Sequence, residues 1–302
     1  MYEGTTDLNV SNKQRKLTID DLHEILTFDK DKNGFPKLTD RNVALIEFII
    51  NNDSNYRALD DSDGDSISQT IIGFNDSTDI EKIEKIVEVI DNQNSTHLSS
   101  MGRGHKGDNS GRKKTIDYIA TIPNFFSRLE KRDFELVNDI ALNAIPPSKN
   151  FKGKYIFSFA SKYCTYVART VFRGTQEADN YSIFDDVICE ILPYYAWAYL
   201  GEDEYIKLKK RRNKEGQIPS SEKERVSKIK EIYGKKNKGD YQGYCELIDK
   251  IRYSTQKLFK ENQPISRKGF DHLLWYYFKG KKTKDRIANA VNLVGKESSR
   301  II

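Results

Sequence analysis

The chain has 302 residues, a mean hydropathy of −0.71 and charged residues at 31% of its positions. No apolar run approaches the roughly 18 residues that a membrane-spanning helix needs, and the start Met1-Tyr2-Glu3-Gly4 has neither the basic start nor the apolar run of a signal peptide. We therefore expect a cytoplasmic protein without a membrane partner, long enough for one large domain or two smaller ones.

Charge is distributed unevenly along the chain. Residues 1–100 hold 10 Lys and Arg against 20 Asp and Glu, whereas residues 101–302 hold 40 against 25. This asymmetry predicts an acidic N-terminal region, 1–100, followed by a basic domain, 101–302, and only the second part should meet a polyanion. A lysine-rich surface that serves solubility explains the charge equally well.

The three cysteines are Cys164, Cys189 and Cys245. They are too far apart for a CxxC zinc pair, and a four-cysteine iron–sulfur cluster is excluded by their number. We expect reduced, structural thiols and no metal or cofactor.

The first predicted helix begins near Leu17, and a polar loop from Asp29 to Asp40 follows it. Acidic and amide residues alternate in this loop and a glycine occupies the sharp turn, as in a calcium-binding loop: Asp29, Asp31, Asn33 and Gly34. However, Asp40 replaces the usual bidentate glutamate. We favour a polar turn in which Asp40 caps the next helix, with a calcium-responsive interaction protein as the alternative.

Beyond an acidic loop at 51–78, an amphipathic helix is predicted from Asp79 to Ile90, with an apolar stripe of Ile80, Ile83, Ile86, Val87 and Ile90. The Gly-rich stretch 92–114 carries Arg103 and Lys106, which could follow a phosphate backbone or belong to a plain linker. Two helices, broken at Pro123, are predicted between Thr115 and Ile145.

Two helical patterns joined by a polar turn occupy residues 157–192. The first begins at Ser158 and carries Lys162, the second begins at Ser182 and carries Asp185, and Gly174 in the turn allows a left-handed helix stop. After a basic run at 203–238, further amphipathic helices are predicted from Tyr241 to Phe259 and from Gly269 to Phe278. No segment shows the alternation of a strand, so the fold class is predicted to be all-α.

Two segments of this unit carry a family resemblance: Ser161-Lys162-Tyr163-Cys164 and Tyr181-Ser182-Ile183-Phe184-Asp185. They resemble the lysine segment and the aspartate segment of the helix-hairpin-helix DNA glycosylases, in particular the 8-oxoguanine-glycosylase-like members. The hairpin of that family is usually rich in glycine, whereas this chain offers only Gly153 before Lys154. The resemblance implies a helix-hairpin-helix glycosylase-like bundle with an acidic helical N-terminal addition.

The resemblance also implies an activity: excision of a modified or damaged base flipped from duplex DNA, in repair or in defence against phage. Asp185 would be the catalytic carboxylate. Lys162 would be the nucleophile of a bifunctional glycosylase and lyase, or else a phosphate ligand. Side chains expected to contact DNA are Lys154, Ser158, Ser161, Arg103, Lys106 and Arg267.

Alternatives to catalysis stay open at this point. Asp185 also completes a Ser-x-x-Asp arrangement that caps a helix, with Asp186 as an exposed neighbour. The whole chain could likewise be a non-catalytic, helical DNA-binding or phage-defence protein that retains the scaffold. Sequence alone selects neither the base nor the aromatic residue that would stack on it.

Overall fold

A computed structural model describes residues 28–32, 34–52, 67–94, 96–101, 110–147, 153–208, 229–234 and 239–278. Within these ranges every regular element is helical, and the one β contact is an isolated bridge between Lys30 and Pro36. The predicted all-α fold class is therefore confirmed for the described part of the chain. No helix in that part is both long and apolar enough to cross a membrane.

Short 3₁₀ turns at Leu98–Ser100 and Gln176–Asp179 lie between the α-helices. We number the α-helices as follows: α1 Asp40–Asn52, α2 Ile67–Ile71, α3 Ile80–Asn94, α4 Ser110–Ala120, α5 Phe125–Glu130, α6 Glu135–Asn143, α7 Phe157–Val171, α8 Asp186–Leu200, α9 Glu202–Leu208, α10 Ile229–Ile232, α11 Tyr241–Phe259 and α12 Arg267–Phe278.

Helix α7 lies at the centre of the bundle. It packs against α6, α2, α3 and α5, while α8 packs against α9, α10, α11 and α12. Small and aromatic side chains of α7 face inward, among them Phe159, Ala160, Tyr163 and Val167. Because α7 is covered on several sides, its polar side chains near the N-terminus are held in fixed positions.

The hydrophobic core contains side chains from both sides of residue 100 in the sequence. Phe35 packs against the rings of Tyr194, Tyr195 and Phe278, with centroid distances of 5.6 to 6.2 Å. The hydroxyl of Tyr195 donates to the carbonyl of Pro36 at 2.9 Å, and α1 packs against α12. Residues of the acidic N-terminal region thus share one core with the basic domain.

The loop from Asp29 to Asp40 is closed by its own polar groups. A carboxylate oxygen of Asp31 accepts from the N–H of Phe35 at 2.9 Å, and Asp29 pairs with Arg41 at 2.6 Å. Thr39, rather than Asp40, caps α1, since its hydroxyl accepts from the N–H of Asn42 at 3.4 Å. The predicted cap was therefore one residue off, and the loop has the contacts of a polar turn.

Several predicted bounds differ from the structure. The segment Thr115–Ile145 belongs to three helices, α4 to α6, instead of two. Helix α3 extends to Asn94, and Ile80 at its start is 55% exposed, whereas the rest of the predicted stripe is buried. The helix predicted from Ser182 begins only at Asp186. The acidic loop predicted at 51–78 is wrong in its second half, where helix α2 buries Ile67 and Ile71. The predictions for Leu17, for Arg103 and Lys106, for residues 53–66 of the acidic loop and for most of the basic run lie outside the described residues.

Candidate active site

Backbone hydrogen bonds across the connection between α6 and α7, which we call the hairpin and whose residues 144–147 and 153–156 are described, fix the start of the lysine helix. The N–H of Lys154 donates to Ile145 O at 2.9 Å, and the N–H of Ile156 donates to Ala141 O at 3.0 Å. Gly153 lies in this hairpin with a φ of 72°, and a Cβ there would come within 2.7 Å of the nitrogen of Pro147. Glycine is therefore required by both conformation and space.

The segment before α8, residues 181–185, has no regular secondary structure, and three of its N–H groups donate to side chains of other helices. Ser182 N–H donates to the hydroxyl of Tyr241 at 2.9 Å, Ile183 N–H to a carboxylate oxygen of Asp271 at 3.0 Å, and Phe184 N–H to Ser161 Oγ at 3.0 Å. We call this stretch the clamped segment. Buried backbone donors need partners, and here tertiary contacts supply them in place of a helix.

Two carbonyl groups of the clamped segment accept hydrogen bonds from tyrosine side chains of α11. Tyr241 donates to Ser182 O at 2.5 Å, and Tyr244 donates to Ile183 O at 2.8 Å. Burial raises the pKa of Tyr241 and of Tyr244 well above the usual tyrosine value, so both hydroxyls stay protonated donors. The clamped segment therefore reaches Asp185 along a path fixed by α7, α11 and α12.

Asp185 and Lys162 form an ion pair at the end of this path. Lys162 Nζ lies 2.9 Å from Asp185 Oδ2, and their side chains are only 5% and 14% exposed. Asp185 Oδ1 accepts from the N–H of Val187 at 2.9 Å, which makes Asp185 the N-cap of α8. One carboxylate thus caps a helix with one oxygen and meets an amine with the other.

The capping alternative needs a correction in detail. Asp185 caps its helix as the N-cap residue itself, whereas a Ser-x-x-Asp cap would require Ser182 in that position. Ser182 instead belongs to the clamped segment, four residues before the helix. Asp186, the exposed neighbour, is 73% exposed and pairs with Lys230 at 2.5 Å.

A narrow crevice opens beside Lys162. Its volume is about 20 Å³, and its walls are mostly aromatic and ionisable side chains, joined by Asn94 and Ile183: Tyr166, Asp271, His272, Trp275 and Tyr276. Tyr166 lies one helical turn after Lys162 and donates to Asn94 Oδ1 at 3.1 Å. The crevice is too small for a nucleobase as it stands, so a base could enter only if its walls moved apart.

Asp271 is a buried acid that the sequence reading missed. It is fully buried, accepts from Ile183 N–H, and pairs with Arg169 of α7 at 2.6 Å. Burial raises the pKa of Asp271 to about 7, although Arg169 and the backbone N–H act in the opposite direction. The sequence did contain a signal for it: Asp271 lies between apolar residues of a predicted helix, and a buried carboxylate needs a partner.

The residues expected to contact DNA have different surroundings. Lys154 is exposed at the hairpin and Ser158 is partly exposed in the first turn of α7, whereas Arg103 and Lys106 lie outside the described residues. Ser161 is fully buried, and its hydroxyl donates to Ser158 O while accepting from Phe184 N–H. Ser161 therefore serves the clamped segment, which corrects its expected role at a phosphate.

Arg267 also requires a correction. Its side chain is buried at the start of α12, where it pairs with Asp249 and donates to Asp179 O at 2.8 Å. Arg252 joins the same network through Asp249 at 2.8 Å. Because the guanidinium of Arg267 is buried and bound to these groups, it stabilises the fold and is not exposed to a DNA backbone.

The three cysteines are free and buried, and burial raises the pKa of each thiol. Among the described residues, no group of three His, Cys, Asp or Glu side chains is arranged to hold a metal ion.

One family model, HI_0787_N, described as an N-terminal domain, matches residues 45–171. This range covers less than half of the chain. It begins inside α1, ends at the last residue of α7, and contains Lys162 but not Asp185. No curated protein and no solved structure matches the chain.

Proposed function

We propose that this protein is a DNA glycosylase that excises a modified or damaged base flipped from duplex DNA. The observation that carries the proposal is the largely buried pair of Lys162 and Asp185, in which Lys162 also lines a crevice with aromatic walls. Departure of a base leaves positive charge on the sugar, and a carboxylate held in a water-poor site stabilises that charge. Asp185 is the carboxylate that would do so.

Lys162 gives the site a nucleophile. An amine must lose a proton before it attacks the anomeric carbon, and Asp185 Oδ2, at 2.9 Å, is within reach to accept that proton. The bond to the base then breaks as the bond from Nζ to the anomeric carbon forms, and the base leaves with its electron pair and takes the proton from Asp185, which restores the carboxylate. The first product is an aminal. Cleavage of its bond to the ring oxygen, which takes up a proton released by Nζ, opens the sugar and gives a Schiff base, from which strand cleavage can follow.

Further support comes from the surroundings of the pair. The hairpin between α6 and α7 presents exposed Lys154 beside the N-terminus of α7, an arrangement suited to a phosphate. Aromatic walls at Tyr166, Trp275 and Tyr276 suit a planar ring once the crevice opens. The resemblance of both segments to helix-hairpin-helix glycosylases agrees with this arrangement.

Base release from modified duplexes is the direct test. Duplexes carrying 8-oxoguanine, uracil, alkylated purines or hypermodified cytosines would be incubated with the protein and assayed for abasic sites. Asp185→Asn is the matched variant: asparagine retains an oxygen to cap α8, so the fold should survive while excision drops by about 10²–10³. Excision unaffected by this substitution would overturn the assignment of Asp185.

A non-catalytic DNA-binding protein is the second candidate, and one observation favours it. Both oxygens of Asp185 already have partners within the protein, Val187 N–H and Lys162, as in a purely structural pair. If this candidate is right, the protein binds the duplexes but produces abasic sites in none of them. If the protein is a glycosylase, it produces abasic sites in at least one duplex of the panel.

A further inference from the structure

A second, larger cavity lies along α7 beyond the crevice. Its volume is about 390 Å³, within the range of small-molecule sites. Helix α7 supplies one wall, since Tyr166, Arg169, Thr170 and Arg173 all line it, and Tyr166 also borders the crevice beside Lys162. The opposite side is formed by Ser68 of α2, by Asp179, and by Ser266 and Lys268 around the start of α12.

Positive charge dominates this cavity. Its lining contains Arg169, Arg173 and Lys268 against a single carboxylate, that of Asp179. The oxygens of Asp179 accept from the N–H groups of Arg267 and Lys268 at 2.8 and 2.9 Å, so this carboxylate is already engaged by the start of α12. An anion that entered would meet a surplus of cationic donors.

Arg169 supplies an independent sign of a ligand. Its side chain is nine-tenths buried, and Nη2 pairs with Asp271 at 2.6 Å. Its Nε and Nη1, by contrast, are buried without a hydrogen-bond partner among the described residues. Buried guanidinium donors without acceptors are costly, so a shift of the Arg169 side chain toward the cavity that it lines would let an oxyanion there supply the acceptors.

The hydroxyl groups of the cavity extend the same pattern. Arg173 Nη2 donates to Ser68 Oγ at 3.1 Å, and Ser68 Oγ lies 3.3 Å from Thr170 Oγ1. Hydroxyl groups and guanidinium groups that converge on one volume form the set of donors that binds phosphate oxygens.

We propose that this cavity is a binding site for a phosphate group, held by Arg169 and Arg173. The phosphate belongs either to a small phosphorylated molecule or to the DNA backbone, and the two sources share the same chemistry at the site. The proposal does not depend on base excision, because the cavity and its donors are separate from Lys162 and Asp185.

Isothermal titration of the full chain with inorganic phosphate, at constant ionic strength, tests the proposal. We expect saturable binding to the unaltered protein, weakened about tenfold or more by Arg173→Ala and by Arg169→Lys. Arg169→Lys keeps a cation beside Asp271 but removes the Nε and Nη1 donors. Lys257→Ala, a change of an exposed cation on α11, is the control and should leave the affinity unchanged.

Absence of saturable binding, or equal affinity in Arg173→Ala and the unaltered protein, would overturn the proposal. If Arg169→Lys fails to fold, Arg173→Ala decides alone, since Arg173 is exposed. Adding duplex DNA to the titration separates the sources. Loss of the phosphate signal assigns the site to the DNA backbone, and an unchanged signal assigns it to a small phosphorylated ligand.

Discussion

Lys162 and Asp185 place opposite charges where little water reaches them, and the same contact can serve either chemistry or stability. Sodium borohydride distinguishes the two, because it reduces a Schiff base to a permanent protein–DNA adduct. We expect trapping during turnover, its loss in Lys162→Gln, and its retention in Lys154→Gln, which alters an exposed lysine of the nearby hairpin. An adduct that persists in Lys162→Gln would mean that another lysine attacks the sugar.

The energy of the pair can be measured apart from its chemistry. Removing one charge leaves the other buried at 5% or 14% exposure, so each of Lys162→Met and Asp185→Asn should destabilise the fold. The double variant removes both charges at once. We expect it to be more stable than the sum of the single effects predicts, with a coupling of about 1–3 kcal/mol in urea unfolding. Strictly additive effects would contradict an energetically significant pair.

Asp271 should make stability depend on pH in the direction opposite to an ordinary aspartate. Its pKa in the folded protein is about 7 against a usual value of 3.8, so between these values the folded state holds a proton that the unfolded chain has lost. Its contribution to the free energy of unfolding therefore falls as the pH rises through this window, by up to about 1.4 kcal/mol per pH unit.

Asp271→Asn isolates that contribution because asparagine does not titrate. The cost of leaving Arg169 without its carboxylate is the same at every pH, so only the titration of Asp271 changes the difference between the two proteins. The variant should gain stability relative to the unaltered protein between pH 5 and pH 8 in urea unfolding. A constant difference across this range would mean that Asp271 is ionised throughout.

At the scale of elements, the hairpin between α6 and α7 can be tested with a pair of glycines. Gly153 and Gly174 both have positive φ, at 72° and 85°, but a Cβ would clash with backbone atoms only at Gly153. Gly174→Ala should cost about 1–2 kcal/mol for the left-handed conformation alone, and Gly153→Ala should cost more. Equal thermal destabilisation would show that the hairpin tolerates the added atom.

Helical periodicity predicted most of the elements, because an apolar stripe reports which face of a helix is covered. The bounds of α11 match the prediction, and Ile83, Ile86, Val87 and Ile90 of α3 are buried as the stripe indicated. The clamped segment could not be predicted this way. Its N–H groups bond to Tyr241, Asp271 and Ser161, which lie far away in sequence, and those contacts replace the helix that its apolar residues favour.

The candidate site was predictable only in part for the same reason. Lys162 and Asp185 were found through resemblance of short segments, and the structure brings them together. Arg169 and Asp271 pair across 102 residues, and no local pattern connects them. Ser161 and Arg267 carry groups that could bind phosphate. Only the tertiary structure shows that these groups bind other parts of the protein instead.

For the whole molecule, the core shared across residue 100 predicts that the basic part cannot fold alone. A chain of residues 101–302 would lose apolar side chains that are now buried: Phe28, Phe35, Leu38, Ile46, Ile67, Ile71, Phe74, Ile83, Ile86, Val87, Ile90 and Leu98. Each such side chain contributes about 1.5–3 kcal/mol, and a typical domain has only about 5–15 kcal/mol of net stability. We expect calorimetry to find no cooperative unfolding transition in this fragment, and a sharp transition would contradict the shared core.

DNA affinity must therefore be measured on the full chain, and its dependence on salt is the last test. Residues 101–302 hold 40 Lys and Arg against 25 Asp and Glu, so binding should release counterions and the logarithm of the affinity should fall linearly with the logarithm of salt concentration. If Lys154 contacts a phosphate, Lys154→Ala should reduce the slope by about 1. Lys85→Ala on α3, where Lys85 pairs with Glu81 at 2.6 Å, should leave the slope unchanged. An affinity that does not respond to salt, or equal slopes in both variants, would exclude a phosphate contact at this hairpin and remove one support of the glycosylase proposal.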